Sequence, residues 1–235
     1  IPPRFDDVRW YFSEGLIAIK LDGKWGFIDK TGQVVIQPQF VEALSFSEGL
    51  APVRVRHDSG YKMGFIDGTG NFAIPPQFDT ACCFKDGIAD VGIAGKVGFI
   101  DKHGNYVVKP RYDRSMALDH GLVAVQIAGQ WGLVDKTGKE IVKPKFQAIW
   151  GYSAGLAVVQ TDAGWGYTDK TGKFVIEPTF DLAHEFSEGL ARVCVARKWG
   201  FIDKTGQFVI RPKYDIVLDF SEGLAMVQLN KRNAY

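Results

Sequence analysis

Apolar and polar residues alternate with period two in short runs along this chain. After Gly121 the apolar residues are Val123, Val125 and Ile127; after Gly189 they are Ala191, Val193 and Val195. The positions between are mixed, with Ala18, Pro52, Asp90 and Arg192 at one and Lys20, Arg54, Gln126 and Gln228 at the next. Such alternation predicts a strand with one buried face. A tight turn containing Gly23, Gly95 or Gly129 then leads into a second strand, with Trp25, Phe27 and Asp29 on one face and Gly26 and Ile28 on the other. Asp29-Lys30-Thr31-Gly32 reads as a hairpin turn, because Asp accepts bonds from the turn backbone and Gly takes a positive φ. The third strand is Val34-Val35-Ile36, or Phe174-Val175-Ile176, and is expected to end at Pro, which cannot donate to a ladder. About ten residues then cross to the next unit, with at most one helical turn.

This pattern is periodic. Gly-Leu-Ala and its variants recur with the glycine at Gly15, Gly49, Gly87, Gly121, Gly155, Gly189 and Gly223, at spacings of 34, 38, 34, 34, 34 and 34. Trp-Gly recurs at Trp25, Trp131, Trp165 and Trp199, and Met63 and Val97 fill the same slot. An Asp follows at Asp29, Asp67, Asp101, Asp135, Asp169 and Asp203, then a Pro at Pro38, Pro76, Pro110, Pro144, Pro178 and Pro212. With 27 Gly and 10 Pro so placed, ordinary helices have almost nowhere to sit. The expected fold is all-β: a single domain over 1–235 of about seven three-stranded antiparallel meanders, each relying on its neighbours for a core. Seven units of 34 make 238 residues against the 235 present, which favours a propeller-like ring whose ends complete one unit together. The alternative is an open β-superhelix or solenoid; Lys231-Arg232-Asn233-Ala234-Tyr235, a poor match to the second strand, speaks for it.

The phrase Lys198-Trp199-Gly200-Phe201-Ile202-Asp203-Lys204-Thr205-Gly206, preceded by Phe186-Ser187-Glu188-Gly189-Leu190-Ala191, resembles the bacterial WG-repeat (KWG) family over essentially the whole chain. The resemblance implies a tandem β-repeat protein, mainly bacterial and often fused to other modules. It implies no established catalytic residues and no common ligand.

Composition narrows the function classes. Lys and Arg number 28 against 27 Asp and Glu, so binding of nucleic acid through bulk charge is not expected. No run of 18 apolar residues occurs, so no membrane insertion by a helix is expected. Unpaired cysteines and the opening Ile1-Pro2-Pro3-Arg4, which has no signal-peptide pattern, favour the cytoplasm. Gly151-Tyr152-Ser153-Ala154-Gly155 matches a nucleophile elbow, but a strand is expected after it where that motif needs a helix. The aligned Asp residues offer one carboxylate per turn, too few for calcium, and read as turn caps. The Trp of each Trp-Gly pair reads as core between units, and its Gly as room for a neighbouring backbone. His57, His103, His120 and His184 show no zinc spacing, and Cys82, Cys83 and Cys194 no disulfide framework. No catalytic residue, metal or cofactor is expected.

Two features depart from the repetition. Five residues before each marker glycine stand Trp10, Leu44, Cys82, Met116, Trp150, His184 and Leu218, followed in the first unit by Tyr11. Equivalent positions in a repeat array line one side, so this column is either a groove with aromatic anchors or a variable packing site. The other is a four-residue insertion within 56–62, which places His57, Asp58 and Tyr61 on an extended hairpin loop. The expected function is a non-enzymatic binding or scaffold module for a protein or peptide partner; the alternative is carbohydrate or cell-wall binding through exposed aromatics.

Overall fold

The computed structural model describes residues 5–58, 60–118 and 121–229. The terminal pieces 1–4 and 230–235, together with Ser59, Asp119 and His120, lie outside them, and with them Lys231–Tyr235. The described chain is all-β. It forms six four-stranded antiparallel meanders in strict chain order, followed by a two-stranded piece. By contacts it divides into two compact bodies, residues 1–115 with 136–138, and residues 116–135 with 139–235.

Each sheet has one strand more than the sequence pattern indicates. The segment expected to cross between units supplies a leading strand to the unit that follows. Glu42–Ala43 pairs with Ala51–His57, which pairs with Gly60–Ile66 and then Phe72–Phe78. In the second body the leading strands Ala148–Ser153 and Leu182–Ser187 run to six residues. The expected end at Pro is also corrected: the last strand continues through it, as in Val34–Phe40 and Phe174–Phe180. Pro is tolerated because this strand is the sheet edge, where the missing N–H faces no ladder. The register shifts opposite the Trp-Gly step, between Trp25↔Phe40 and Phe27↔Ile36. There the backbone of the last strand lies over Gly26. A Cβ on Gly26 would stand 2.5 Å from the Ile36 carbonyl oxygen and 2.6 Å from the Pro38 nitrogen. Gly166 meets Ile176 and Pro178 in the same way. The glycine of each pair is therefore room for neighbouring backbone, as expected.

Cores form between consecutive units. Trp25, Phe27, Ile36 and Phe40 of one unit pack on Ala43, Phe46, Ala51, Val53 and Ile66 of the next. In the second body Trp165, Tyr167, Ile176 and Phe180 pack on Ala183, Phe186, Ala191, Val193 and Ile202. Trp25, Trp165 and Met63 are buried in this slot; Val97, Trp131 and Trp199 are half-buried. A ring pair marks four of these junctions, Phe27–Phe46 and Phe65–Phe84 at 4.9 Å, Tyr167–Phe186 at 5.1 Å and Phe201–Phe220 at 4.9 Å; Leu118 and Leu133 replace a ring at the others.

The Phe-Ser-Glu-Gly phrase is the tie at that junction. After the stacking Phe, the Ser hydroxyl donates to the next unit's Phe carbonyl, Ser47 to Phe84 at 2.7 Å and Ser187 to Phe220 at 2.8 Å. The Glu carboxylate then accepts the N–H of the next marker glycine: Gly49 on Glu14, Gly87 on Glu48, and Glu222 with Gly223 on Glu188. Each aligned Asp caps its own turn. Asp29 Oδ1 accepts from the Thr31 N–H and hydroxyl and from the Gln33 N–H. These bonds, the Thr31 hydroxyl first, hold the Asp29 carboxyl below its usual range.

Candidate functional site

The variable column falls where the leading strand leaves its ladder. In the second body Trp150 sits in a register shift between Ile149 and Gly151, and His184 and Glu185 in one between Ala183 and Phe186. A bulge re-aims the side chain it carries. Here it brings residues a repeat apart into one ladder of rings. Trp150 lies 4.1 Å from Trp165 and 5.5 Å from His184 between centroids, and His184 lies 5.7 Å from Trp199. Trp150 remains 45% exposed, so the middle of the ladder is open to solvent.

Arg192 closes the far end. Its guanidinium carbon is 5.8 Å from the Trp199 ring, Nη1 donates to the Val217 carbonyl at 2.9 Å, and Nε is 2.8 Å from Asp219 Oδ1. Its Nη2 is 3.2 Å from His184 Nδ1. Because guanidinium only donates, Nδ1 accepts and His184 is neutral. Burial, then the Arg192 charge, keep the imidazole below its usual range, against the opposing pull of Asp219. Tyr167 donates its hydroxyl to the His184 carbonyl at 2.7 Å, fixing the backbone of the bulge. Beside the rings, His184, Glu185, Phe186, Ser187 and Asp219 line an open depression of roughly 370 Å³. Glu185 extends over Gly151, where any Cβ would collide with its carboxylate.

The other column residues divide by environment. Leu218 is exposed, and Met116 packs against the core of its unit. In the first body Leu44 is half-buried and Cys82 exposed, while the Cys83 thiol donates to the Ser45 carbonyl at 3.3 Å. Trp10 is 95% exposed and Tyr11 64%. It is Arg9 that covers the core tryptophan: it lies 4.8 Å from the Trp25 ring and donates to the Ala43 carbonyl. Arg9 and Arg192 occupy different repeat positions yet stack on the equivalent Trp and reach the equivalent carbonyl. Neither was readable from the sequence, because no column of arginines marks them.

The insertion lengthens a hairpin, as expected: Arg56 faces Tyr61, and His57 faces Gly60. Tyr61 is 54% exposed, and His57 and Asp58 are exposed. Ser153 is followed by the strand Leu156–Thr161, and its hydroxyl accepts the Phe186 N–H, a junction bond. No group of three His, Cys, Asp or Glu among the described residues is gathered to hold a metal.

The family model for the WG containing repeat matches residues 1–25, 25–56, 63–96, 98–131, 131–163, 165–199 and 199–232. The chain belongs to the WG containing repeat family. Its Trp-Gly pairs, glycine-dependent bulges and tied junctions are the repeat in physical form. No curated protein matches this WG-repeat sequence. Among solved structures it is similar to one described as the eukaryotic initiation factor, at 12% identity and a TM-score of 0.54, over 92% of this chain and 70% of that one. A looser similarity, with a TM-score of 0.49 and 11% identity over 98% and 86%, is to Kluyveromyces lactis Hsv2 with loop 6CD replaced by a Gly-Ser linker. At these identities the likeness concerns the repeat β fold alone.

Proposed function

We propose that this WG-repeat chain is a non-enzymatic binding module that takes a protein or peptide partner across the column centred on Trp150 and His184. The observation that carries the reading is the ring ladder with Trp150 half-open at its centre. Aromatic and Arg anchors beside a polar rim are the composition of interface hot spots. The charged groups nearby, Glu185, Arg192 and Asp219, would set orientation more than affinity. Asp29, Asp67, Asp101, Asp169 and Asp203 each hold Oδ1 on the backbone of their own turn, which supports a structural role for this column. The extended hairpin with His57, Asp58 and Tyr61 is a second contact surface.

A second reading, carbohydrate binding, is favoured by the run Trp10, Tyr11 and Phe12, all exposed. Affinity capture with the wild type beside a Trp10→Ala, Trp150→Ala double variant, shown to be folded, tests both. A partner lost only in the variant supports the module. A partner kept by both moves the site to the 56–62 hairpin. No partner, with tryptophan fluorescence responding to glycans, favours the sugar reading.

A further inference from the structure

Each junction glutamate acts as a ligand for the next unit. Glu188 places Oε1 2.7 Å from the Glu222 nitrogen and Oε2 2.9 Å from the Gly223 nitrogen, so one carboxylate spans two successive N–H groups. Two successive residues with positive φ point those groups outward, as Glu48 and Gly49 do at φ 56 and 88. At Gly87 a cation joins: Lys102 Nζ is 3.0 Å from Glu48 Oε2. The chain thus displays a complete carboxylate site, filled by its own side chains.

At Ala154-Gly155 the same cradle stands with φ 52 and 89. Lys170 follows Asp169 as Lys102 follows Asp101. Yet the position that supplies Glu14, Glu48 and Glu188 elsewhere carries His120 by sequence, outside the described residues. Neither the Ala154 nor the Gly155 N–H meets an acceptor among the described residues. Ala154, Gly155 and Lys170 instead line an open depression of roughly 520 Å³ whose apolar wall is Leu122 and Tyr152. Its donors suit an anion, and its wall suits the methylenes that carry one.

We propose that this depression binds a carboxylate, taking an Asp or Glu side chain of an acidic peptide partner where the chain's own glutamates sit at Gly49, Gly87 and Gly223. The proposal rests on the peptide-binding reading above and names the chemistry of that partner. Its test is a titration of the 15N-labelled chain with hexaglutamate at low salt, followed at the Ala154 and Gly155 amides. The expected result is a saturable shift at these two amides. Lys170→Glu, at an exposed site, should weaken it about tenfold. His120→Glu, which writes the missing acid into this repeat, should silence it. Silent amides, a response unchanged by Lys170→Glu, or inorganic phosphate shifting them as strongly as the peptide would overturn the proposal. The two readings fail separately. A captured partner that depends on Trp150 while Gly155 stays silent leaves the module standing and removes the carboxylate site. A responding Gly155 with no Trp150-dependent partner does the reverse.

Discussion

The junctions at Gly49 and Gly87 in the first body differ from those at Gly155 and Gly189 in the second. In the first, Glu14 and Glu48 bind the next unit's backbone. In the second, the tie to Gly189 is lost because Ala154 stands where Glu would, and the Gly155 cradle receives no carboxylate from the described residues. The ring stack of the first body nevertheless recurs at the Gly189 junction, and the Trp-Gly bulges are the same in both bodies. The difference teaches that stacking and backbone fit build the frame, while the carboxylate tie is an addition that a repeat can drop. The second body, which drops the tie at Gly189 but keeps it from Glu188 to Gly223, also carries the open Trp150–His184 ladder.

The largest expected effect is one that both bodies share. Gly26→Ala and Gly166→Ala each force a Cβ into backbone atoms under 3.0 Å away, and backbone cannot rotate aside. Each should lose about 3 kcal/mol in thermal or urea denaturation. Unequal losses would break the claim that the frame is common to both.

The tie itself should be worth less. Glu48→Ala is expected to cost about 1 kcal/mol, and Ala154→Glu to add about 0.5 kcal/mol, since Glu already occupies that φ at Glu188. Glu48 also gives a pH signature. Burial raises its pKa, but the Lys102 and Gly87 bonds outweigh it and hold the carboxyl below the ordinary value of 4.5. Its contribution is therefore present above that value and lost as pH falls through the depressed one. The gap between wild type and Glu48→Ala should be full at neutral pH and close on acidification. A gap that stays constant to low pH would show that the lost carboxylate bonds are not its source.

A further effect, of the same size as that of Glu48→Ala, sharpens the second body alone. Thr168 stands where other units have Ile28, Ile66, Ile100 and Ile202, fully buried with its hydroxyl unbonded. Thr168→Val should stabilise by about 1 kcal/mol. A loss of stability would mean that the hydroxyl is satisfied.

The frame was legible in the sequence because every unit repeats it: the bulge glycines, the capping Asp and the phrase ending in the marker glycine. The leading strand was not, because Glu42–Ala43 and Thr80–Ala81 are too short to show a period of two. The column was visible as variation, but its geometry came from bulges that no residue type announces at Trp150 or His184. Ala154 and His120 could be seen as departures; their meaning needed the partner atoms of Glu14, Glu48 and Glu188.

The most direct test of the account compares the two bodies at their exposed tryptophans, Trp150→Ala against Trp10→Ala, in quantitative binding of the captured partner. The account predicts loss of binding with Trp150→Ala and retention with Trp10→Ala. Retention in Trp150→Ala, or loss only in Trp10→Ala, would contradict it.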